Sequence, residues 1–253
     1  MIIQRHSGHL HISYLEQDLP VLRGETTQGH WQLGLGFAMK ENYVGRLRNL
    51  AVATLSDGCD QIAGKRGFLD FDIKARVNPK KIVGIAATVL EVPSDEPHKP
   101  ELAFDVIDEA PAGSVIVIAN GADANTAVWG ELMNAGAVAR GHEAVVVDGG
   151  TRDVELIRRD TDFPVYARSV VPSSSIGRLM TVARDIPVEA GGVMIHPGDY
   201  IVGDEDGVVA IPADHVAEII AFAEDAEATE AEMAVYIAEV GSMRAAIDKF
   251  GRA

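Results

Sequence analysis

Apolar positions along this chain change rhythm several times, and each change marks an element. In residues 44–62, Leu47, Leu50, Leu55 and Ile62 recur at helix-compatible spacing. Residues 81–90, KIVGIAATVL, are rich in β-branched side chains and predict a strand. A polar, proline-containing loop runs from Pro93 to Pro100, and a short helix is expected over 103–108, ending before Pro111. The run SVIVIA at 114–119 lies between Gly113 and Asn120-Gly121, which predicts a buried strand. The alternation then repeats, with a helix over 126–139, a strand over 144–147, a short helix over 152–159 and a strand over 164–170. Three short strands, 192–195, 200–202 and 208–211, follow between Gly, Pro and Asp turns. Asp214 is placed to cap a final helix running to about Lys249.

Strands alternating with helices, then strands in quick succession, predict an α/β sandwich rather than a long doubly wound sheet. Residues 1–46 read as an N-terminal arm, 47–213 as the domain, and 214–253 as an acidic C-terminal helix. In the arm, His9 and His11 could share one face of a strand. No cysteine or carboxylate at ligand spacing accompanies them, so a solvated or subunit-crossing strand is the better reading than a metal pair.

Charge narrows the function. The chain has 22 Lys and Arg against 38 Asp and Glu, a net −16, which argues against neutralising nucleic-acid phosphates or docking on an anionic membrane. Eight acids between Asp214 and Glu239, with no Lys or Arg among them, account for half of that charge and read as a solvated helix face. The single cysteine, Cys59, excludes an intramolecular disulfide and fits a reducing compartment. Its neighbours in Ser56-Asp57-Gly58-Cys59-Asp60 offer no cation to form a thiolate, so it reads as a small buried side chain. There is no run of 18 apolar residues and no basic-then-apolar N-terminal pattern, so a cytoplasmic protein is expected.

Three loops lie after predicted strands, where open α/β sheets place ligands. In Asp148-Gly149-Gly150-Thr151-Arg152-Asp153, two glycines allow a tight turn, and an Arg and an Asp stand side by side. Arg152 offers a planar fork for a carboxylate or a developing enolate, and Asp153 a hard oxygen for Mg2+ or Mn2+. An ordinary helix start, with Asp favoured by the dipole and Arg in solvent, accounts for the same residues equally well. After Asn120-Gly121-Ala122-Asp123-Ala124-Asn125, Gly130 and the residues beyond it can offer backbone N–H groups to an anion. Glu131 could add a second carboxylate, though alone it reads as a surface helical residue. Gly203-Asp204-Glu205-Asp206-Gly207 lacks the closing Glu of a calcium loop and reads as a tight hairpin. No phosphate loop, GxGxxG, GxSxG or HExxH motif is present.

Taken together, these motifs resemble the family of class II pyruvate-type aldolases and regulators of ribonuclease activity, the RraA-like proteins. The signature is an acid, twenty residues, then Arg-Asp: here Glu131, residues 132–151, and Arg152-Asp153. Gly130-Glu131-Leu132-Met133, Val147-Asp148-Gly149-Gly150-Thr151, Phe163-Pro164-Val165-Tyr166-Ala167-Arg168 and Pro197-Gly198-Asp199 extend the likeness. The resemblance implies an α/β/β/α sandwich similar to the swivelling phosphohistidine domain. It implies a divalent metal, Mg2+ or Mn2+, held by Asp153 and, through bound water, by Glu131. It also implies that Arg152 contacts the 2-oxo oxygen while the backbone at Gly130, Leu132 and Met133 takes the substrate carboxylate. The implied activity is cleavage of a 4-hydroxy-2-oxo acid through a pyruvate enolate, with oxaloacetate decarboxylation as a side activity. Members assemble as homotrimers or homohexamers with sites between subunits. The other branch of the family inhibits an RNA-degrading enzyme by protein contact; its members tend to lack the paired acids that this chain keeps. A metal-enolate enzyme acting on a sugar-derived acid is a further alternative. No lysine is placed for a Schiff base, so a metal is the electron sink that this chemistry requires.

Overall fold

The computed structural model describes the backbone of residues 2–6 and 9–13 and all of 42–251. Strands β1 (Ile2–His6) and β2 (His9–Ser13) pair antiparallel. The side chains of His9 and His11 lie outside the described residues.

The rest is a mixed sheet and a separate two-stranded antiparallel hairpin, wrapped by helices. Its elements are α1 (Tyr43–Arg48), α2 (Val52–Gly58), β3 (Lys74–Val77), β4 (Ile82–Pro93), α3 (Glu101–Glu109), β5 (Val115–Ala119) and β6 (Ala127–Trp129). Then come α4 (Glu131–Arg140), β7 (Ala144–Thr151), α5 (Val154–Asp160), β8 (Val165–Val170), β9 (Leu179–Arg184), β10 (Val188–Ala190) and β11 (Val193–Ile195). The last are β12 (Tyr200–Gly203), β13 (Val208–Ile211), α6 (Val216–Val240) and α7 (Met243–Phe250). The strand order is β13-β12-β4-β5-β7-β8-β3, with β6 added along β7 and β9 along β4. Strands β4, β5, β7 and β8 run parallel, as the alternating helices require, and the flanking strands are antiparallel.

Alternation along the central strands sorts their side chains into two layers. Ile116, Ile118, Val145 and Val147 pack under α3, α4 and α5. Val115, Val117 and Val146 point the other way and meet Ile201, Val208 and Ala210 from β12 and β13. Strands far apart in the order therefore share one core, because the sheet curls over onto itself. The outer face of the curled part, with Val202, Val209 and Ile211, is covered by α1, α2 and α6. The four layers are helix, sheet, sheet, helix, the predicted sandwich.

Several elements depart from the sequence reading. The helix expected over 44–62 is broken after Arg48, resumes at Val52 and ends in a single wide π turn, Cys59–Ala63. Residues 127–129 are strand rather than the start of a helix, because they pair with the end of β7 before the chain turns at Gly130. The C-terminal segment is two helices: Gly241 adopts a left-handed φ of 67°, which a glycine takes at no steric cost, and Ser242 caps the second helix at the N–H of Ala245. Asp214 caps nothing; it lies in a 3-10 turn ahead of α6. The hairpin at Asp204–Gly207 is present, with reciprocal backbone bonds between those two residues. Cys59 is fully buried, and burial, seconded by Asp60, pushes its thiol up to about 12.

Candidate active site

Every residue of β7 is buried, and its far end is shared by β8 on one side and β6 on the other. The loop from Asn120 to Thr126 joins β5 to β6 and is strapped over that end. Asn120 bonds Asp123 in both directions, and Ser169 Oγ donates to the carbonyl of Ala124. Ser173 Oγ donates to Asn125 and accepts the N–H of Ala127 at 3.2 Å. Gly149 and Gly150 do not make the tight turn expected of them; they are strand residues. They are glycines because a Cβ would strike the Asn120 amide at one position, and Val171 and the Thr126 carbonyl at the other.

This strapping brings the two halves of the Glu-x20-Arg-Asp motif together. The Trp129 carbonyl accepts the N–H of Arg152 at 3.0 Å and the Thr151 hydroxyl at 3.3 Å. Trp129 is itself anchored by stacking on Phe163, with ring centroids 6.2 Å apart. Asp153 holds a left-handed φ of 58°, an uncommon conformation for a residue with a side chain. Its Oδ2 accepts the N–H of Glu131 at 3.3 Å and lies 3.5 Å from Arg152 Nε. Gly130 permits this approach: a Cβ there would sit 2.7 Å from Asp153 Oδ2. The twenty-residue spacing is thus the length of α4 and β7, out and back to one point.

The arrangement has three usable features. The first turn of α4 leaves the N–H groups of Leu132 and Met133 without intrahelical acceptors, next to the positive end of the helix dipole. Arg152 and Asp153 keep side-chain exposures of 42% and 36%, so both reach solvent. Leu132 is 85% exposed at the rim, an apolar side chain presented beside polar groups. The predicted site residues Gly130, Glu131, Leu132, Met133, Arg152 and Asp153 are therefore neighbours around a cradle at the start of α4 and just past the end of β7; it is the backbone N–H of Glu131 that reaches Asp153, and Met133 packs against the helix-covered core. Asp153 Oδ1 and the carboxylate of Glu131 are hard oxygen donors suited to Mg2+ or Mn2+. Among the described residues no group of three or more His, Cys, Asp or Glu side chains is placed to hold a metal ion, so most of a metal's shell here would be water and substrate, as Mg2+ prefers.

Behind the cradle lies a buried ionic group whose role the motifs did not reveal. Arg168, 8% exposed, bonds Asp148 and Asp72 at 2.6 Å and Asp70 at 2.8 Å. Asp148 also accepts the N–H groups of Gly191 and Ala122. Burial raises the Asp148 pKa against these donors, while the Arg168 and Arg66 guanidinium groups lower that of Asp70. An Asp ending the apolar run AVVVD was the available signal, since a buried charge needs a partner.

Fold and site define a four-layer α/β protein with an Arg–Asp pair at an open helix N-terminus. The family profile for RraA-like proteins, described as Aldolase/RraA, matches residues 52–210, and the chain belongs to that family. Protein DlpA of Legionella pneumophila is 34% identical over 180 residues, 71% of this chain but only 29% of DlpA. A Halalkalibacterium halodurans protein named "Putative 4-hydroxy-4-methyl-2-oxoglutarate aldolase" is 31% identical over 175 residues, 68% of this chain and 77% of its own. Among solved structures, an uncharacterized protein from Pseudomonas syringae superposes with a TM-score of 0.73 at 30% identity, covering 83% of this chain and 94% of its own. Streptomyces coelicolor RraAS2, described as an unusual member of the RNase ES inhibitor RraA protein family, gives 0.67 at 29% identity, covering 75% and 94%.

Proposed function

We propose that this protein is a divalent-metal-dependent carbon–carbon lyase that cleaves a 4-hydroxy-2-oxo acid to release pyruvate. The observation that carries this reading is the meeting of Glu131, Arg152 and Asp153 at the N-terminus of α4. Aldolase names among the relatives support it. The N–H groups of Leu132 and Met133 would hold the substrate carboxylate, and the Arg152 fork would face the 2-oxo oxygen. As the 4-hydroxyl gives its proton to water and becomes a carbonyl, the C3–C4 bond breaks and its electron pair moves toward the 2-oxo oxygen, where the guanidinium stabilises the growing negative charge; a proton returned from water to C3 then gives pyruvate. Removing such a charge-stabilising donor costs roughly 10²–10³ in rate. Asp153 and Glu131 would hold the Mg2+ or Mn2+, which when bound supplies a Lewis acid at the 2-oxo group. Decarboxylation of oxaloacetate develops charge at the same oxygen and fits the same cradle. Among the described residues lysine chemistry finds no support: Lys81, half-buried just ahead of β4, donates to the Leu50 carbonyl at the opposite end of the sheet from the cradle.

Assembly into a homotrimer or homohexamer would cover Leu132 and bring a neighbour to the open side of the cradle. Pyruvate release from 4-hydroxy-2-oxo diacids, followed by a coupled dehydrogenase, tests the function. Activity should vanish with EDTA, return with Mn2+ and be lost in Asp153→Ala. Turnover that survives both treatments sinks the metal assignment. The likeness to RraAS2 favours one second reading, a protein that inhibits an RNA-degrading enzyme by contact. A folded wild type without lyase activity that binds such an enzyme would establish it.

A further inference from the structure

Strands β7 and β8 change register once. Val145, Val146 and Val147 face Val165, Tyr166 and Ala167, whereas Gly150 and Thr151 face Ser169 and Val170. Two residues of β7, Asp148 and Gly149, therefore stand opposite one residue of β8, Arg168. This is a bulge, a device that re-aims the strand beyond it. Strand side chains alternate with period two, so one extra residue exchanges the two faces for everything downstream. Here the downstream residues are Thr151, Arg152 and Asp153.

A bulge leaves its extra residue outside the ladder and needs something else to hold it. Arg168 stands directly across. Its Nε donates to Asp148 Oδ1 at 2.9 Å, and its other nitrogens reach Asp72 at 2.6 Å and Asp70 at 2.8 Å. Asp148 Oδ1 also takes the Gly191 N–H at 2.9 Å, and Oδ2 takes the Ala122 N–H at 3.1 Å. The bulge is thus tied to the 70–72 segment, to the turn before β11 and to the loop that leads into β6. β6 follows that loop and delivers the chain to Gly130, the other wall of the cradle.

We propose that Arg168 is a positioning residue: by clamping Asp148 at the bulge it sets the register in which Arg152 and Asp153 leave the sheet. It bonds neither of them. The inference rests on reading Arg152 and Asp153 as the reacting pair, but its geometric part stands apart from any activity. Lysine cannot reproduce the clamp, because a point charge on a flexible stem does not replace a planar fork shared by three carboxylates.

The test compares Arg168→Lys and Asp148→Asn with Arg184→Gln, which breaks a comparable ion pair, to Glu109 at 2.7 Å, away from the bulge. In Arg168→Lys, kcat should fall about 10²-fold with KM little changed, the effect of a misplaced reacting group. Asp148→Asn should move kcat in the same direction. Arg184→Gln should leave kcat within about twofold. Backbone amide exchange should quicken at residues 148–153 and at Glu131 in the two bulge variants and not in the control. A folded Arg168→Lys with wild-type kcat and wild-type exchange at 148–153 overturns the proposal. Should that variant not fold, Asp148→Asn decides by the same two readouts, since it leaves Arg168 paired with Asp70 and Asp72. Should the wild type lack lyase activity, the proposed function fails and the exchange measurement alone decides the role of Arg168.

Discussion

Arg168 and Glu91 are charged side chains closed inside the same sheet, and they are treated in opposite ways. Arg168 on β8 is 8% exposed and meets three carboxylates. Glu91 on β4 is 2% exposed, and neither of its oxygens has a hydrogen-bond partner. Both stand at irregular pairing: Arg168 opposite the β7 bulge, and Glu91 where β9 carries one extra residue, Val182, against β4. The difference lies in what each irregularity must do. The β7 bulge has to hold one geometry because the cradle hangs from it, so its charge is paired from several segments. Nothing of the cradle hangs from the β9 bulge, and Glu91, left unpaired, holds its proton to a higher pH instead. Burial alone pushes its carboxyl up to about 7.

The largest expected effect comes from breaking the paired side. Arg168→Met strands Asp148, whose side chain is only 5% exposed, and should cost roughly 3–5 kcal/mol in chemical denaturation, the penalty for halving a buried ion pair. A loss under about 1 kcal/mol would mean that the three carboxylates relax into water and that the clamp is weak. Glu91→Gln probes the unpaired side and should work in the other direction. In the folded state the carboxyl keeps its proton up to about 7, whereas the unfolded chain releases it near 4.5, so the folded state binds more protons between those values. Wild-type stability from this group therefore falls as pH rises from 4.5 to 7 and stays low above that. Glutamine, neutral throughout, should match wild type near pH 4 and exceed it by up to about 3 kcal/mol at pH 8. A gap independent of pH would show that Glu91 finds a partner on ionising.

The sequence made the frame of this molecule legible and left its fastenings hidden. The apolar runs at β4, β5 and β7 are largely buried on both faces, so composition alone marks them. Strands β3 and β9 carry polar and basic residues on half-exposed positions and give no such signal. The twenty-residue spacing could be read because it equals one helix and one strand. The reason the spacing works, β6 closing on the end of β7, could not be read, because Thr126–Trp129 has no local preference strong enough to outweigh the helix beside it. The two glycines of Asp148-Gly149-Gly150 suggested a turn. Their actual requirement is an absent Cβ beneath Asn120, a contact set by tertiary packing. Arg168 was visible as a residue and invisible as a clamp, since its partners come from segments 20 to 98 positions away.

The smallest effect sharpens the comparison from between its extremes. Glu227 belongs to the acidic helix α6 and accepts the N–H of Ala51 at 2.7 Å, at the start of α2, with the Lys81 ammonium near enough to interact with its charge. Ala51 supplies no side-chain cap of its own, and the next N–H, of Val52, is taken by Asp204 Oδ2 at 3.4 Å. Glu224, one turn earlier, pairs with both ends of the Arg46 fork. The acids on this side of α6 are therefore tied to α1 and α2, while the solvated face holds the others. Glu227→Ala should lower stability by about 1 kcal/mol, the worth of a helix cap, because the Ala51 N–H then turns to water instead of being stranded. Repulsion among the eight acids works the other way, and removing one of them relieves it. A gain in stability would mean that repulsion outweighs the cap and that α6 is held well enough by its apolar face, Ile219, Ile220 and Ala223 among it, and by the Arg46–Glu224 pair. A loss of the expected size would place Glu227 between Arg168 and Glu91: one hydrogen bond, partial exposure, and an energy to match.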